Sequence, residues 1–410
     1  MPADSLLDFE DTQKSFAYKT DAELKKAKWL FSIMQHRWLV NLGTSITPWA
    51  IKSGLPVKKI IKQTLFKQFV GGETLEQTSQ VMKTLENFGV QIILDYGVEG
   101  GEYEEEKYDS ETAYFIKVIQ YAASRPSIPF ISIKLTGLCS IHVLEKLTLR
   151  TNNPSLEEKN QLIQIKIAQL SDTEREKWDN LINRTTQICA VAKTSNIGIM
   201  IDAEESWIQD AIDHVTEKMM RIHNTEKPVV YNTVQLYRKD KLAYISALYE
   251  NARTNGYLLG LKLVRGAYME KERKRAEDMK YTSPIQPDKL STDRDYDKAV
   301  SYCIDRLNTI SIVVASHNEK SNKLAASIAI NKGIKSEEKH LNFSQLYGMS
   351  DNLTFNLADG KFNVSKYLPF GPLQEVIPYL MRRAQENSSV AGQTSRELEL
   401  INKECFRRGI

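Results

Sequence analysis

From residue 90 onward the chain is a series of short apolar runs. Each ends on polar residues or a turn, and most are followed by a stretch with helical spacing. The runs are VQIILDYGV (90–98), PFISIKLTGL (129–138), IGIMIDAEES (197–206), VVYNTVQLY (229–237), YLLGLKLVRGAY (257–268), ISIVVASHN (310–318), HLNFSQLYG (340–348) and NLTFNLADG (352–360). Most are nearly continuous in apolar residues, as strands buried on both faces are. DKAVSYCIDRLN and SNKLAASIAINKG read as intervening helices. Strands alternating with helices pair in parallel. Eight such units in about 300 residues predict an α/β fold of the (β/α)8, TIM-barrel type. The short connection before the eighth run predicts that strands seven and eight are distorted.

Before the barrel, residues 1–88 read as an N-terminal helical region, leaving 89–410 for the barrel. In it, DAELKKAKWLFSIMQHRWLV is amphipathic with Asp21 as its cap, and GETLEQTSQVMKTLENFGV stops at Gly89. Lys58, Lys59, Lys62 and Lys67 punctuate an otherwise apolar segment. A solvated helix face accounts for them better than a surface for anionic lipid. Residues 139–196 are more than a barrel needs and hold two helical patterns, an expected helical insertion. The second opens with a capping box, Ser171 with Glu174. The acidic run EGGEYEEEKYDSE (99–111) reads as a solvated loop.

Composition narrows the function. The 410 residues carry 55 Lys+Arg against 52 Asp+Glu, and a net +3 gives no reason to expect a nucleic-acid partner. Cys139, Cys189, Cys303 and Cys405 form no CxxC pair, which argues against a disulfide framework or thiolate zinc site. The acidic N-terminus lacks the basic and apolar regions of a signal peptide, and no apolar run is long enough to span a bilayer. A cytoplasmic protein, at most peripheral on the inner face of the cell membrane, is the expectation. HExxH, GxSxG, GxxxxGK[ST] and GxGxxG are all missing from the sequence, so a metal site is unsupported and a nucleotide would be held by barrel loops.

Barrel active sites lie at the C-terminal ends of the strands. Those ends carry Lys134, then Asp202, Glu204 and Glu205, then Gln235, then Lys262, Arg265 and Tyr268, then Ser316, His317 and Asn318, then Gln345. Singly, each fits a structural role: Lys134 with Asp202 as an ion pair, His317 as a core histidine, Gly266 and Tyr268 as turn residues. Polar residues at one end of six successive apolar strands are harder to assign to structure, because buried charge is costly unless paired or functional. In VRGA, Arg265 suits a phosphate, and Gly266 lets a ligand approach the backbone. The residues alone reach a barrel enzyme that binds an anionic small molecule.

Four motifs go further. KLVRGAY, DAEES, ASHN and YLPFGPLQEVIPYLMRRAQENSS together resemble the proline dehydrogenases, from about residue 70 to the C-terminus. The last motif is long and specific. The resemblance is to the monofunctional, eukaryote-related form of this flavoenzyme family. It implies a distorted (β/α)8 barrel and oxidation of L-proline to Δ1-pyrroline-5-carboxylate, the first step of proline catabolism. It also implies non-covalent FAD taking a hydride at N5, and a membrane quinone as electron acceptor, with peripheral membrane contact.

By the same resemblance, Lys134, Arg382 and Arg383 clamp the proline carboxylate, which suits paired guanidiniums. Tyr367, Leu263 and Tyr268 contact the ring. Asp202 orders the cationic cluster. Ala203, Gln235, Val264, Arg265, Gly266, Ser316, His317 and Asn318 hold FAD, and Lys262 places positive charge near N5. Glu386, grouped with the cofactor positions, steadies Arg382 and Arg383 from one turn away. Pro378 and the PFGP turn set the helix's angle. Many bacterial members have Arg first and Lys fourth in the strand-five motif; Lys262 and Arg265 reverse that order. Two rivals share these residues: a hydroxyproline dehydrogenase, which bulky Tyr367 disfavours, and a flavin-free binding protein.

Overall fold

The apolar runs do become strands, seven of them where the sequence places them. A computed structural model describes residues 7–36, 38–40, 57–97, 102–149, 155–389 and 393–410. The strands are β1 (Gln91–Tyr96), β2 (Phe130–Ile133), β3 (Gly198–Ile201), β4 (Val230–Gln235), β5 (Leu259–Val264), β6 (Ile310–Ala315), β7 (Leu341–Leu346) and β8 (Val364–Phe370). They form a closed barrel in sequential order. The chain divides into two compact units, residues 1–98 with 344–410, and residues 99–343.

The eighth strand is a correction. NLTFNLADG was expected to be β8, but Asp351–Asp359 is a helix and β8 is VSKYLPF. The Leu-Thr-Phe-Asn-Leu alternation has the period of a strand with one wet face. Here residues 351–358 are all buried and the alternate polar groups are hydrogen-bonded instead. Thr354 donates to Gln345 Oε1 (2.8 Å), and Asn356 Nδ2 donates to Ser15 Oγ (3.2 Å). β8 escapes the pattern because it contains Lys366 and Pro369. A full helix therefore connects β7 to β8. The short connection behind the expected distortion does not exist.

Three local expectations also shift or hold. Thr20, not Asp21, caps the helix Asp21–Met34, in a capping box with Glu23. The acidic run is not all loop: from Glu105 it forms the helix Glu105–Ala123, whose first-turn carboxylates suit the helix dipole; residues 99–101 lie outside the described residues. Gly89 does terminate the helix Leu75–Glu86, at φ +71°, with Val90 N–H donating to Leu85 O (3.1 Å).

In the segment 139–196 lie the helices Ile141–Lys146, Leu156–Ala168 and Asp172–Ser195, the last capped by the predicted Ser171–Glu174 box. In the N-terminal region Lys59, Lys62 and Lys67 are exposed, and Lys62 pairs with Glu73.

Within residues 99–343, strand alternation sorts side chains into two faces. Asn232 of β4 reaches Asp213 and Tyr244 on neighbouring helices (both 3.1 Å), so its face is the helix side. Tyr231, Thr233 and Gln235 take the other face. Register aligns Met200 with Tyr231, Thr233 with Lys262 and Gln235 with Val264. Lys262 therefore points inward.

In the other unit, buried Glu397 accepts from Ser350 N–H (2.6 Å), and burial, with Asp351 nearby, pushes its carboxyl up to about 7. A carboxyl raised in the folded state favours folding while protonated. Stability is then lost as pH rises from the unfolded value near 4.5 through about 7, by about 3 kcal/mol. Glu397→Gln keeps an acceptor for Ser350 and is expected to flatten that decline in urea midpoints between pH 5 and pH 8. A variant as pH-sensitive as the parent would refute the assignment.

Candidate active site

Three charged side chains meet at the ends of β2, β3 and β5. Lys134 and Asp202 each directly follow an apolar strand, and Lys262 lies within β5. The Lys134 ammonium is 3.3 Å from Asp202 Oδ2, and Lys262 donates to Asp202 Oδ1. All three are over nine-tenths buried. One carboxylate thus serves two buried cations. Such a site favours an anion or developing negative charge.

The segment after β3 is held from several directions. Asp202 N–H donates to Ile133 O (2.9 Å). The Glu204 carboxylate accepts from Thr136 Oγ1 (2.6 Å) and Thr136 N–H (3.3 Å), and burial pushes its carboxyl up to about 7 against those bonds. Gln235 Nε2 donates to Glu204 O (2.9 Å), which fixes the amide's orientation. Gln235 Oε1 is then buried with no hydrogen-bond donor among the described residues. A buried unmet acceptor is rare. Oxidised flavin carries one ring N–H, at N3, and a donor of that kind fits the need.

Arg265 is more occupied than its sequence role suggested. Its guanidinium donates to Asp293 (2.7 Å), Ser316 (2.6 Å) and Ser321 (2.9 Å), and stacks 4.2 Å over the Tyr296 ring. These bonds use three of its five N–H donors, leaving two for a phosphate. Gly266 has φ +141°, and a Cβ there would sit within 2.5 Å of the Tyr237 ring. Its missing side chain therefore makes room for Tyr237, while its backbone stays exposed together with Ala267.

The remaining predicted residues fall as follows. Ala203 is buried beside Asp202, and Val264 shares Lys262's face of β5. Leu263 lies on the opposite face, fully buried, its carbonyl taking the Tyr296 hydroxyl (3.2 Å), so it is not gathered with Lys262. Tyr268 is half-buried before the helix Met269–Asp278. Ser316 is buried, His317 half-buried, and Asn318 caps the helix Glu319–Asn331 by accepting from Ser321 N–H (3.1 Å).

In the unit of residues 1–98 and 344–410, Tyr367 is buried on β8 in register with Ile93. Arg383 is 6% exposed and chelated by both Glu386 oxygens (2.6 and 2.5 Å), with its guanidinium 5.3 Å from the Tyr379 ring centre. Arg382 is half-buried on the same helix, Leu373–Ser389, which contains Pro378. Sequence reasoning missed Thr136, Gln209, Tyr237, Asp293, Tyr296 and Ser321. Only strand-end position could have signalled Thr136 and Tyr237; the others lie on helices.

Fold and site together define a (β/α)8-barrel protein with a buried lysine–carboxylate centre at its strand ends. Residues 78–396 match the family model described as proline dehydrogenase. "Proline dehydrogenase 1, mitochondrial" of Dictyostelium discoideum is 31% identical over 97% of this chain and 74% of its own length. "Hydroxyproline dehydrogenase" of Xenopus laevis is 31% identical over 85% of this chain and 78% of its own. The chain belongs to the proline dehydrogenase family, and so to a family of oxidoreductases. Among solved structures, proline utilization A (PutA) from Bdellovibrio bacteriovorus superposes with a TM-score of 0.70 at 18% identity, over 95% of this chain. This chain spans about 40% of the PutA chain, and at that identity the likeness speaks to fold.

Proposed function

We propose that this protein oxidises L-proline to Δ1-pyrroline-5-carboxylate with non-covalent FAD, passing electrons to a membrane quinone. The observation that carries the reading is the buried Lys134–Asp202–Lys262 centre with the unmet Gln235 acceptor on the adjoining strand. When bound, FAD supplies the two-electron acceptor at N5 for hydride from the ring carbon next to nitrogen, distal to the carboxylate. The chain does the rest. Lys134, Arg382 and Arg383 receive the proline carboxylate, and the Glu386 chelate restrains the Arg383 guanidinium. Tyr367 and Tyr268 orient the ring. Lys262 keeps a positive charge where negative charge develops, and Asp202 holds both lysines in place. Gln235, Arg265, Ser316, His317, Asn318 and the backbone of Ala203, Val264 and Gly266 hold the cofactor. A peripheral encounter with a membrane suits a quinone acceptor; no helix among the described residues is long and apolar enough to cross one.

The test is the visible spectrum of purified, FAD-loaded protein, titrated anaerobically with L-proline. Bleaching of the flavin band by proline, and far less by hydroxyproline, is the expected result. A band that ignores proline overturns the proposal. The Xenopus relative's name keeps the hydroxyproline reading in view. Bulky Tyr367 opposes it, so Tyr367→Ser is expected to raise the hydroxyproline-to-proline ratio of kcat/KM by about 10-fold or more. An unchanged ratio would remove Tyr367 from specificity.

A further inference from the structure

Gln209 does not reach the lysine centre, yet it grips the segment that builds it. It is fully buried near the start of the helix Ser206–His223. Its Oε1 accepts Glu204 N–H (2.8 Å), and its Nε2 donates to Asp213 Oδ1 (2.9 Å) one turn on. Asp213 is itself anchored, by Asn232 Nδ2 of β4 (3.1 Å) and by the Lys241 ammonium, which is 1% exposed. Only one orientation of the Gln209 amide satisfies both neighbours: oxygen toward the N–H, nitrogen toward the carboxylate. A buried amide held by a buried ion pair is stiff, because either flip strands polar groups out of water.

The gripped segment is short and irregular. Asp202 to Glu204 leaves β3, its near end tied by the Asp202 N–H bond to Ile133 O (2.9 Å). Its far end is held at Glu204 by Gln209 on the N–H and by Gln235 on the carbonyl.

We propose that Gln209 and Asp213 are positioning residues: their hydrogen-bond relay fixes the Asp202–Glu204 segment, and through Asp202 sets where the Lys134 and Lys262 charges stand. Lys241 and Asn232 anchor the relay's outer end. This rests on the reading that Lys134 serves proline and Lys262 serves the flavin. In this proposal Gln209 and Asp213 act through that segment and not on substrate or cofactor directly.

The experiment compares FAD-loaded wild type, Gln209→Leu, Asp213→Asn and the pair Gln209→Glu with Asp213→Asn. In the pair, the new carboxylate still accepts the Glu204 N–H, and the new amide donates to it; that amide nitrogen then faces Asn232, whose own amide turns to accept through Oδ1, so the relay is rebuilt with both bonds to residue 213 reversed. Flavin midpoint potential and the rate of anaerobic reduction by saturating proline are measured. Gln209→Leu is expected to lower the potential and slow reduction by about 10-fold or more, and the pair to recover to within about 3-fold of wild type. A Gln209→Leu enzyme equal to wild type in both readouts overturns the proposal. So does a pair no better than Asp213→Asn alone, a comparison that serves even if Gln209→Leu does not fold. If wild type holds FAD but ignores proline, the functional reading fails, while the potentials still test the relay.

Discussion

Asp202→Asn is expected to slow anaerobic flavin reduction by proline by about 100-fold or more, and to lower the melting temperature as well. Two ammoniums share this one carboxylate, Lys134 at 3.3 Å and Lys262 in direct hydrogen bond, and all three groups are buried. Asparagine preserves the size but removes the charge and presents an N–H toward a cation. Breaking a buried pair from one side costs about 3–5 kcal/mol, since the remaining charge is stranded. The cations then move apart, which takes positive charge from where the substrate carboxylate and developing negative charge need it. Stopped-flow reduction with proline, beside a thermal melt, separates the two effects. Reduction within about 2-fold of wild type would remove Asp202 from the centre's electrostatics.

Lys366→Met carries the largest expected effect on stability alone. Lys366 lies on β8 beside Tyr367 but on the opposite face. It is fully buried, 2.9 Å from Asp351, and donates to Met349 O (2.5 Å). Burial alone would raise the Asp351 carboxyl; Lys366 and Lys19 outweigh it and hold it below its ordinary value. Methionine fills the volume but leaves Asp351 with Lys19 at 3.7 Å and the Tyr18 hydroxyl at 2.7 Å. A loss of about 3–5 kcal/mol at pH 7 is expected in denaturant unfolding. The sign with pH follows. In the variant the Asp351 carboxyl rises, so protonation relieves it, and the deficit narrows as pH falls toward 5. A loss below about 1 kcal/mol, or one that widens in acid, would show that the pair is not what holds this region.

How much of this was legible depends on the range of the interactions. Lys134, Asp202, Gln235 and Lys262 could be read from their place at the ends of apolar strands, because alternation along a strand dictates which side chains share a face. Leu263 could have been separated from Lys262 by that same alternation. The helix at 351–359 could not be anticipated, since its alternating polar groups are bonded outside the segment, Thr354 to Gln345 on β7 and Asn356 to Ser15 in the N-terminal region. Asp293, Tyr296 and Ser321 around Arg265 lie 28 to 56 residues away on two helices, and no local pattern singles them out.

By itself, the sequence determined the alternating barrel plan, the strand-end positions that carry charge, and the family, because period, turn chemistry and motif are local properties of the chain. Only the tertiary structure decided that one Asp202 serves two lysines, that Arg265 is already tied to three neighbours, that the Gln235 oxygen is left unmet among the described residues, and that Gln209 holds the segment between them. Each of those depends on which buried polar groups meet across elements. Burial makes such meetings matter, since an unmet polar group or charge away from water costs more than any local preference can offset.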